Sequence, residues 1–259
     1  MSDNVLEIVI DTPEGPLRGA LAIPPRPMRL PELAFGFLEI SSKLTELEIK
    51  RTARDGRPIS CRKGCSACCR HLVPLSPPEA WLLADLVASM PSARQGEVRA
   101  SFAAAVQRIA ESPLQSLLEG VEIRPDDVMP VSIAYQALDV ACPFLRDESC
   151  SIYPYRPSIC REFAVTSPAE SCSQLGRAPI DSEGGSAGVP SARRPITRLP
   201  VHVRLSDALS RLTAKVLGTQ PEIVPLPFAL EWANEHREEA QRSWDARTLM
   251  EGLLAELRA

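Results

Sequence analysis

Apolar and polar positions alternate in Val5-Leu6-Glu7-Ile8-Val9-Ile10, the pattern of a half-buried strand. Pro13-Glu14-Gly15-Pro16 is a turn signal, and Leu17 to Ile23 can return as a partner strand. After the proline-rich connector Pro24 to Pro31, the period changes. Leu33, Phe37, Leu38, Leu44, Leu47 and Ile49 recur at roughly helical spacing and predict one amphipathic helix from Pro31 to about Arg54. Asp55-Gly56-Arg57-Pro58 ends it. A second helix start follows at Ser76, with Pro77 at the first helical position and Glu79 where a capping-box acid belongs. Trp81, Leu82, Leu83, Leu86 and Val87 supply its apolar face. Pro91-Ser92 breaks this helix. Further helices are predicted over about Ala93 to Glu111, Leu114 to Leu118 and Asp127 to Leu138.

Periodicity then fades. Between Cys142 and Phe163, Pro143, Pro154 and Pro157 forbid a continuous helix. Residues 173–200 read as a linker or surface excursion, because Gly184-Gly185-Ser186-Ala187-Gly188 has no means of burying itself. Helical patterns resume over Ser206–Leu217, Pro227–Gln241 and Ser243–Leu257. No internal repeat is evident. The expected fold is mainly α, with helices clamping an irregular cysteine-rich metal-binding core and a small N-terminal β-hairpin. Its expected divisions are an N-terminal hairpin and helix (1–54), a cysteine-cluster domain (55–175), a linker (176–200) and a C-terminal helical segment (201–259).

A content of 44 % hydrophobic and 24 % charged residues in 259 is ordinary for a globular chain with a sizeable core. The net charge of −4 gives no general pull toward nucleic acid or anionic membrane. Arg51, Arg54, Arg57, Arg62, Lys63 and Arg70 do surround one short stretch, where solvation of a loop is favoured over a binding patch. No run of about 18 apolar residues offers a membrane span. The start, Met-Ser-Asp-Asn-Val-Leu-Glu-Ile, lacks a cationic region followed by an apolar one, so a cytoplasmic location is expected. Structural disulfides are rare there.

That expectation changes the meaning of the eight cysteines. Cys61, Cys65, Cys68 and Cys69 fall within nine residues; Cys142, Cys150, Cys160 and Cys172 form a looser second group. Thiolates select zinc, copper(I) or iron–sulfur clusters over calcium or magnesium. Cys65-x-x-Cys68 has the spacing that supplies two corners of a tetrahedral site from one turn. Adjacent side chains such as Cys68 and Cys69 usually diverge, so they can serve different metals, or one can support the site as a thiol beside the ligands. All eight are candidate metal ligands, for one composite site or two neighbouring ones. An iron–sulfur cluster or iron is the expected cofactor, with a structural or carried zinc ion as the alternative.

The chain resembles the YkgJ-type cysteine-cluster family, known as the CxxCxxCC family and described as chelating zinc or iron. The residues carrying the resemblance are Cys61-Arg-Lys-Gly-Cys65-Ser-Ala-Cys68-Cys69 and Cys142-Pro-Phe-Leu, Cys150-Ser-Ile-Tyr, Arg156-Pro157 and Cys160-Arg161-Glu-Phe163. It covers about residues 55–175, and the family motif ends before Cys172. That family is similar in cysteine pattern to flagellin lysine N-methylases, which implies a redox or methyl-transfer role. No glycine-rich nucleotide loop accompanies the cysteines. The radical S-adenosylmethionine spacing of Cys61, Cys65 and Cys68 lacks the βα repeats of such enzymes. Whether the protein is an enzyme stays open. The expected partners are a metal ion and an unidentified protein or small molecule, without a membrane and with nucleic acid disfavoured.

Other residues carry narrower expectations. His71 either completes a ligand set or hydrogen-bonds a loop carbonyl. Arg156 and Arg161 are expected to stabilise a negatively charged thiolate site. Tyr153 and Tyr155 are expected to pack as an apolar lid on the metal loop. Glu79 is assigned to capping, and His202 and His236 to the surface.

Overall fold

The apolar face of the N-terminal hairpin finds its partner at the far end of the chain. The computed structural model of the protein describes residues 4–13, 15–62, 64–115, 128–173, 197–199 and 204–258. Strand β1 (Val5–Ile10) pairs antiparallel with β2 (Leu17–Ala22), and its alternation buries Leu6, Ile8 and Ile10. A two-residue strand β3 (Met28–Arg29) leads into α1 (Leu30–Arg54), the long helix that the periodicity predicts.

The two halves of α1 bury different chemistry. Leu30, Leu33, Ala34, Phe37 and Leu38 are buried in the first half. In the second, the buried stripe is Ser41, Thr45, Glu48 and Thr52, whereas Leu44, Leu47 and Ile49 are only half-buried. This end of the helix faces the cysteine segment. There the Ser41 hydroxyl donates to Glu162 at 2.9 Å and Ser42 accepts from Arg161 at 2.7 Å.

A short strand β4 (Pro74–Leu75) precedes α2 (Pro77–Ala88), which starts at Ser76 as expected. Helix α3 (Ser92–Ala110) and α4 (Val128–Ala137) follow near their predicted positions. The expected Leu114–Leu118 helix lies largely outside the described residues, as does most of the 173–200 excursion. The proline-rich segment forms a hairpin of β5 (Leu145–Arg146) and β6 (Ser149–Cys150), then a 3₁₀ turn over Tyr153–Tyr155. Two single-turn helices complete it, α5 (Ser158–Glu162) and α6 (Ala169–Ser173).

Helix α7 (Leu205–Leu217) ends on Gly218, whose φ of +74° is the left-handed conformation that suits glycine. Strand β7 (Val224–Pro225) pairs with β4. The single helix expected over Pro227–Gln241 is divided into a 3₁₀ turn, α8 (Ala229–Glu235) and α9 (Arg237–Gln241). The break falls at His236. Its ring stacks 4.2 Å from that of Trp232, and its Nδ1 lies 2.9 Å from the Trp232 carbonyl. His236 is therefore half-buried. The last helix also starts later than expected: Ser243–Trp244 form β8 against β3, and α10 (Ala246–Arg258) begins after Asp245. Asp245 Oδ1 accepts from the N–H and hydroxyl of Thr248, both at 2.8 Å.

Among the described residues, ten helices with only two-stranded pairings make the fold mainly α. One core joins both ends of the chain, burying Ile8, Leu33, Phe37, Trp81, Leu209 and Leu253. A second lies between α2 and α3, with Phe144 and Ile152 from the cysteine segment. A third holds Ile109, Val131 and Tyr135. Burying each such leucine or phenylalanine is worth about 1.5–3 kcal/mol. No described helix is long and apolar enough to cross a membrane.

Helix α10 docks on α7 partly through Glu256, which is 5 % exposed. Its carboxylate accepts from Lys215 and from Arg211 Nε at 2.9 Å. The hydrogen bond from Lys215, aided by Arg211, holds this carboxyl below its ordinary value of 4.5 despite burial. The folded-state value is depressed, so the stabilisation is present above about pH 4.5 and is lost as pH falls through the lower folded value. Glu256→Gln should cost about 1 kcal/mol at pH 7, a modest figure because both cations are solvated. Denaturant titrations of the two proteins should converge below that range.

Candidate metal centre

The first cysteine group is carried by irregular backbone. Gly64 sits between Cys61 and Cys65 at φ +82°, and Cys68 and Cys69 lie on a 3₁₀ helix over Ala67–Arg70. Nothing lies within 4 Å of where a Gly64 Cβ would be, so only backbone strain resists a side chain there. Gly64→Ala should cost about 1 kcal/mol, measured by denaturant midpoint, with asparagine tolerated better.

The second group approaches by several routes. The Cys142 N–H donates to the Cys69 carbonyl at 2.7 Å, joining the two groups directly. Cys150 ends β6 and Cys160 lies in α5; together with Cys142 they flank the core of Val73, Phe144 and Ile152. Cys172 lies in α6, packed on the 3₁₀ helix of Cys68 and Cys69. Beside Cys61, the Ser60 N–H donates to the Val165 carbonyl at 2.8 Å, and Val165 bridges Arg198. All eight cysteines are free of disulfides.

The thiols influence one another through Cys68. Cys61, Cys65 and Cys68 all act on Cys172. Cys68, Cys142 and Cys150 act on Cys160, and the same three on Cys69. Burial pushes the Cys142 thiol up to about 12 and Cys172 up to about 11, and raises Cys61, Cys150 and Cys160. A hydrogen bond between Cys68 and Cys69 lowers the former and raises the latter. A metal ion would therefore have to displace protons from most of these thiols.

Two buried carboxylates hold this segment on the helices. Glu79 is 1 % exposed and accepts five hydrogen bonds. Its Oε2 takes the Ser76 N–H at 3.0 Å and the Ser76 and Ser206 hydroxyls at 2.8 Å. Its Oε1 takes the Ser158 N–H at 2.8 Å and hydroxyl at 2.7 Å. The capping role read from sequence is present, but Glu79 also joins α2 to α5 and α7. Glu162, at the other end of α5, accepts from Ser41 and from the Leu205 N–H at 3.3 Å. Burial raises its carboxyl to about 7. Cys160 thus stands between two carboxylate anchors.

Arg70 ties the loops together on the outer side. It pairs with Asp139 and with Glu148, each at 3.2 Å. Asp139, Asp147 and Glu148 all have positive φ, an uncommon conformation outside glycine. Asp147 and Glu148 form the two-residue tip of the β5–β6 hairpin, and the Arg70 and Ser66 contacts to Glu148 help hold that turn. Arg51 and Arg57 are likewise paired, with Glu48 and Asp55. Much of the expected basic surface is therefore internally neutralised; Lys63 lies outside the described residues.

Three arginines near the thiols differ. Among the described residues, no carboxylate pairs with Arg156, Arg161 or Arg198. Arg156 lies 4.2 Å over the Tyr153 ring, and its Nε is buried without a hydrogen-bond partner. It acts electrostatically on Cys61, Cys68 and Cys150. Arg161 donates to the Arg156 and Pro154 carbonyls and to Ser42. Arg198 lies 4.8 Å over Phe163 and acts on Cys172.

The tyrosines do not form the expected lid. Tyr153 is 59 % exposed and Tyr155 40 %; Tyr155 stacks on the exposed Phe35 at 5.9 Å, and Tyr153 lies under Arg156. The intervening Pro154 and the 3₁₀ turn direct both rings outward. His71 takes the carbonyl-bonding role: its Nε2 is 3.0 Å from the Cys172 carbonyl and 3.0 Å from Gln136 Nε2. Gln136 Nε2 also donates to that carbonyl at 2.5 Å, and His71 can bond the same carbonyl only with its proton on Nε2. His202 lies outside the described residues.

Among the described residues, no three histidine, cysteine, aspartate or glutamate side chains already stand as a group able to hold an ion. The donor chemistry nevertheless fits a soft metal: eight thiols free of disulfides, with Arg156, Arg161 and Arg198 acting on several of them. The described architecture is thus helices holding a cysteine-rich segment whose donor chemistry suits metal binding. Residues 60–177 match the model of the CxxCxxCC family, described as "Putative zinc- or iron-chelating domain". The matched segment spans less than half of the chain, reaches past the motif recognised in the sequence and includes Cys172. No curated protein and no solved structure matches the chain.

Proposed function

We propose that this protein binds iron through its cysteine thiolates, as an iron–sulfur cluster or as iron itself, in the cytoplasm. The observation that carries this reading is eight cysteines without a disulfide whose segments meet, the Cys142 N–H on the Cys69 carbonyl at 2.7 Å and the helix of Cys172 on the 3₁₀ helix of Cys68 and Cys69. The apolar flank of Val73, Phe144 and Ile152 limits water at Cys142, Cys150 and Cys160. Arg156, Arg161 and Arg198 offset the negative charge that four thiolates bring to a divalent ion. Bound iron would supply one-electron chemistry, which is how a redox or iron-assisted methyl-transfer role would enter. Zinc is the second reading, favoured by the half-buried to buried state of all eight cysteines, since enclosed four-thiolate sites are commonly structural.

The test is metal analysis with an absorption spectrum of protein purified without oxygen. Iron with acid-labile sulfide supports the cluster. Colourless protein with stoichiometric zinc replaces it with the zinc reading. Mutation of Cys68 should lower metal content in either case.

A further inference from the structure

We infer that the eight cysteines make two adjoining four-thiolate centres, Cys61, Cys65, Cys68 and Cys172 in one and Cys69, Cys142, Cys150 and Cys160 in the other. The inference rests on the metal-binding reading and deepens it, because a shared neighbourhood of thiols could equally hold one ion.

Backbone contacts separate the groups. On one side, Cys69 and Cys142 are joined by their own 2.7 Å hydrogen bond. Cys142, Cys150 and Cys160 all pack against the core that holds Phe144 and Ile152, and Leu145, bonded through its N–H to the Cys142 carbonyl at 2.8 Å, pairs with Cys150 in the β5–β6 hairpin. On the other side, Cys61 follows Ser60, which is bonded to Val165, and Val165 bridges Arg198. Cys172 reaches the same side from α6, with its carbonyl beside His71. Cys68 acts on members of both groups, on Cys61 and Cys172 and on Cys142, Cys150 and Cys160, and so stands where they meet. Cys172 feels Cys61, Cys65 and Cys68, whereas Cys160 feels Cys142, Cys150 and Cys68. Cys68 and Cys69 mark the boundary, consecutive in the chain and within hydrogen-bonding contact through their sulfurs.

Counting donors gives the same division. Tetrahedral thiolate sites need four ligands, and the eight cysteines divide into two sets of four without remainder. Each set also has its own unpaired cations. Arg161 lies by Cys160 and Cys150, and Arg198 by Cys172. Arg156, with its unpartnered Nε, acts on members of both sets near the boundary. A divalent ion in four thiolates carries a net charge of −2, and guanidinium groups that lack carboxylate partners are suited to offset it.

The experiment is a cobalt(II) titration of the reduced, metal-free full-length protein. It is followed by sulfur-to-cobalt charge-transfer absorption and by metal analysis after gel filtration. The inference expects two equivalents bound by the wild-type protein. Cys142→Ser/Cys160→Ser and Cys61→Ser/Cys172→Ser should each lose one equivalent and keep the other, with helical circular dichroism retained. One equivalent in the wild-type protein overturns the division while leaving metal binding intact. Loss of all cobalt from either double variant that keeps its helical signal overturns it too. Failure of the wild-type protein to bind cobalt overturns the metal-binding reading along with this one.

Discussion

Glu79→Ala is expected to destabilise the protein by about 3–5 kcal/mol, the range for removing the acceptor from a buried, hydrogen-bonded charged site. Loss of an ordinary helix cap costs only about 1 kcal/mol. The difference comes from geometry: five donors from Ser76, Ser158 and Ser206 converge on one carboxylate, and alanine leaves them facing each other in a dry site. Glu79→Gln keeps the volume but turns an NH₂ group toward hydrogen-bond donors, so it should recover only part of the loss. Urea unfolding of the three proteins measures both effects. If Glu79→Ala costs no more than a cap, the carboxylate does not hold α5 and α7 to α2. Metal affinity should fall with stability, because Cys160 lies two residues after Ser158.

Stripping the metal should give the second large effect, confined to one part of the fold. The core formed by Ile8, Leu33, Phe37, Trp81, Leu209 and Leu253 contains no cysteine. The core of Val73, Phe144 and Ile152 is flanked by three of them. Thiolate–metal bonds in small sites contribute on the order of 10 kcal/mol of folding free energy. Chelation should therefore raise hydrogen exchange across Cys142 to Cys172 while β1, α1, α7 and α10 stay protected. Uniform loss of protection would mean that the cysteine segment and the helical scaffold unfold as one unit. Because burial raises most of the thiols, rebinding should release protons and weaken as pH falls below neutrality.

Much of the fold was legible where a single local rule decided it. The alternation of Leu6, Ile8 and Ile10 marked the hairpin, and Ser76 with Glu79 marked the start of α2. The polar stripe of α1 was not legible. Ser41, Thr45, Glu48 and Thr52 are buried because of what lies opposite them, more than a hundred residues along the chain for Ser41 and Glu162. The division at His236 depends on a ring stacking on Trp232, and β8 depends on Met28, so neither leaves a periodic trace. Within the candidate site, spacing offered the cysteines as donors but could not show which distant segments meet, such as Cys69 with Cys142. The roles of Glu79, Glu162 and Arg70 each require partners from distant segments. A buried acid with several serine donors has no signature in sequence.

The core that joins the two ends of the chain also sets the order of events during synthesis. Helix α1 and Trp81 of α2 bury their apolar faces against α7 and α10, which follow every cysteine in the chain. Every cysteine has emerged before those helices exist. Domains fold as their segments become available, amino-terminal parts first. A metal ion bound by these thiols would therefore find them synthesised before α7 and α10 complete the core that contains no cysteine.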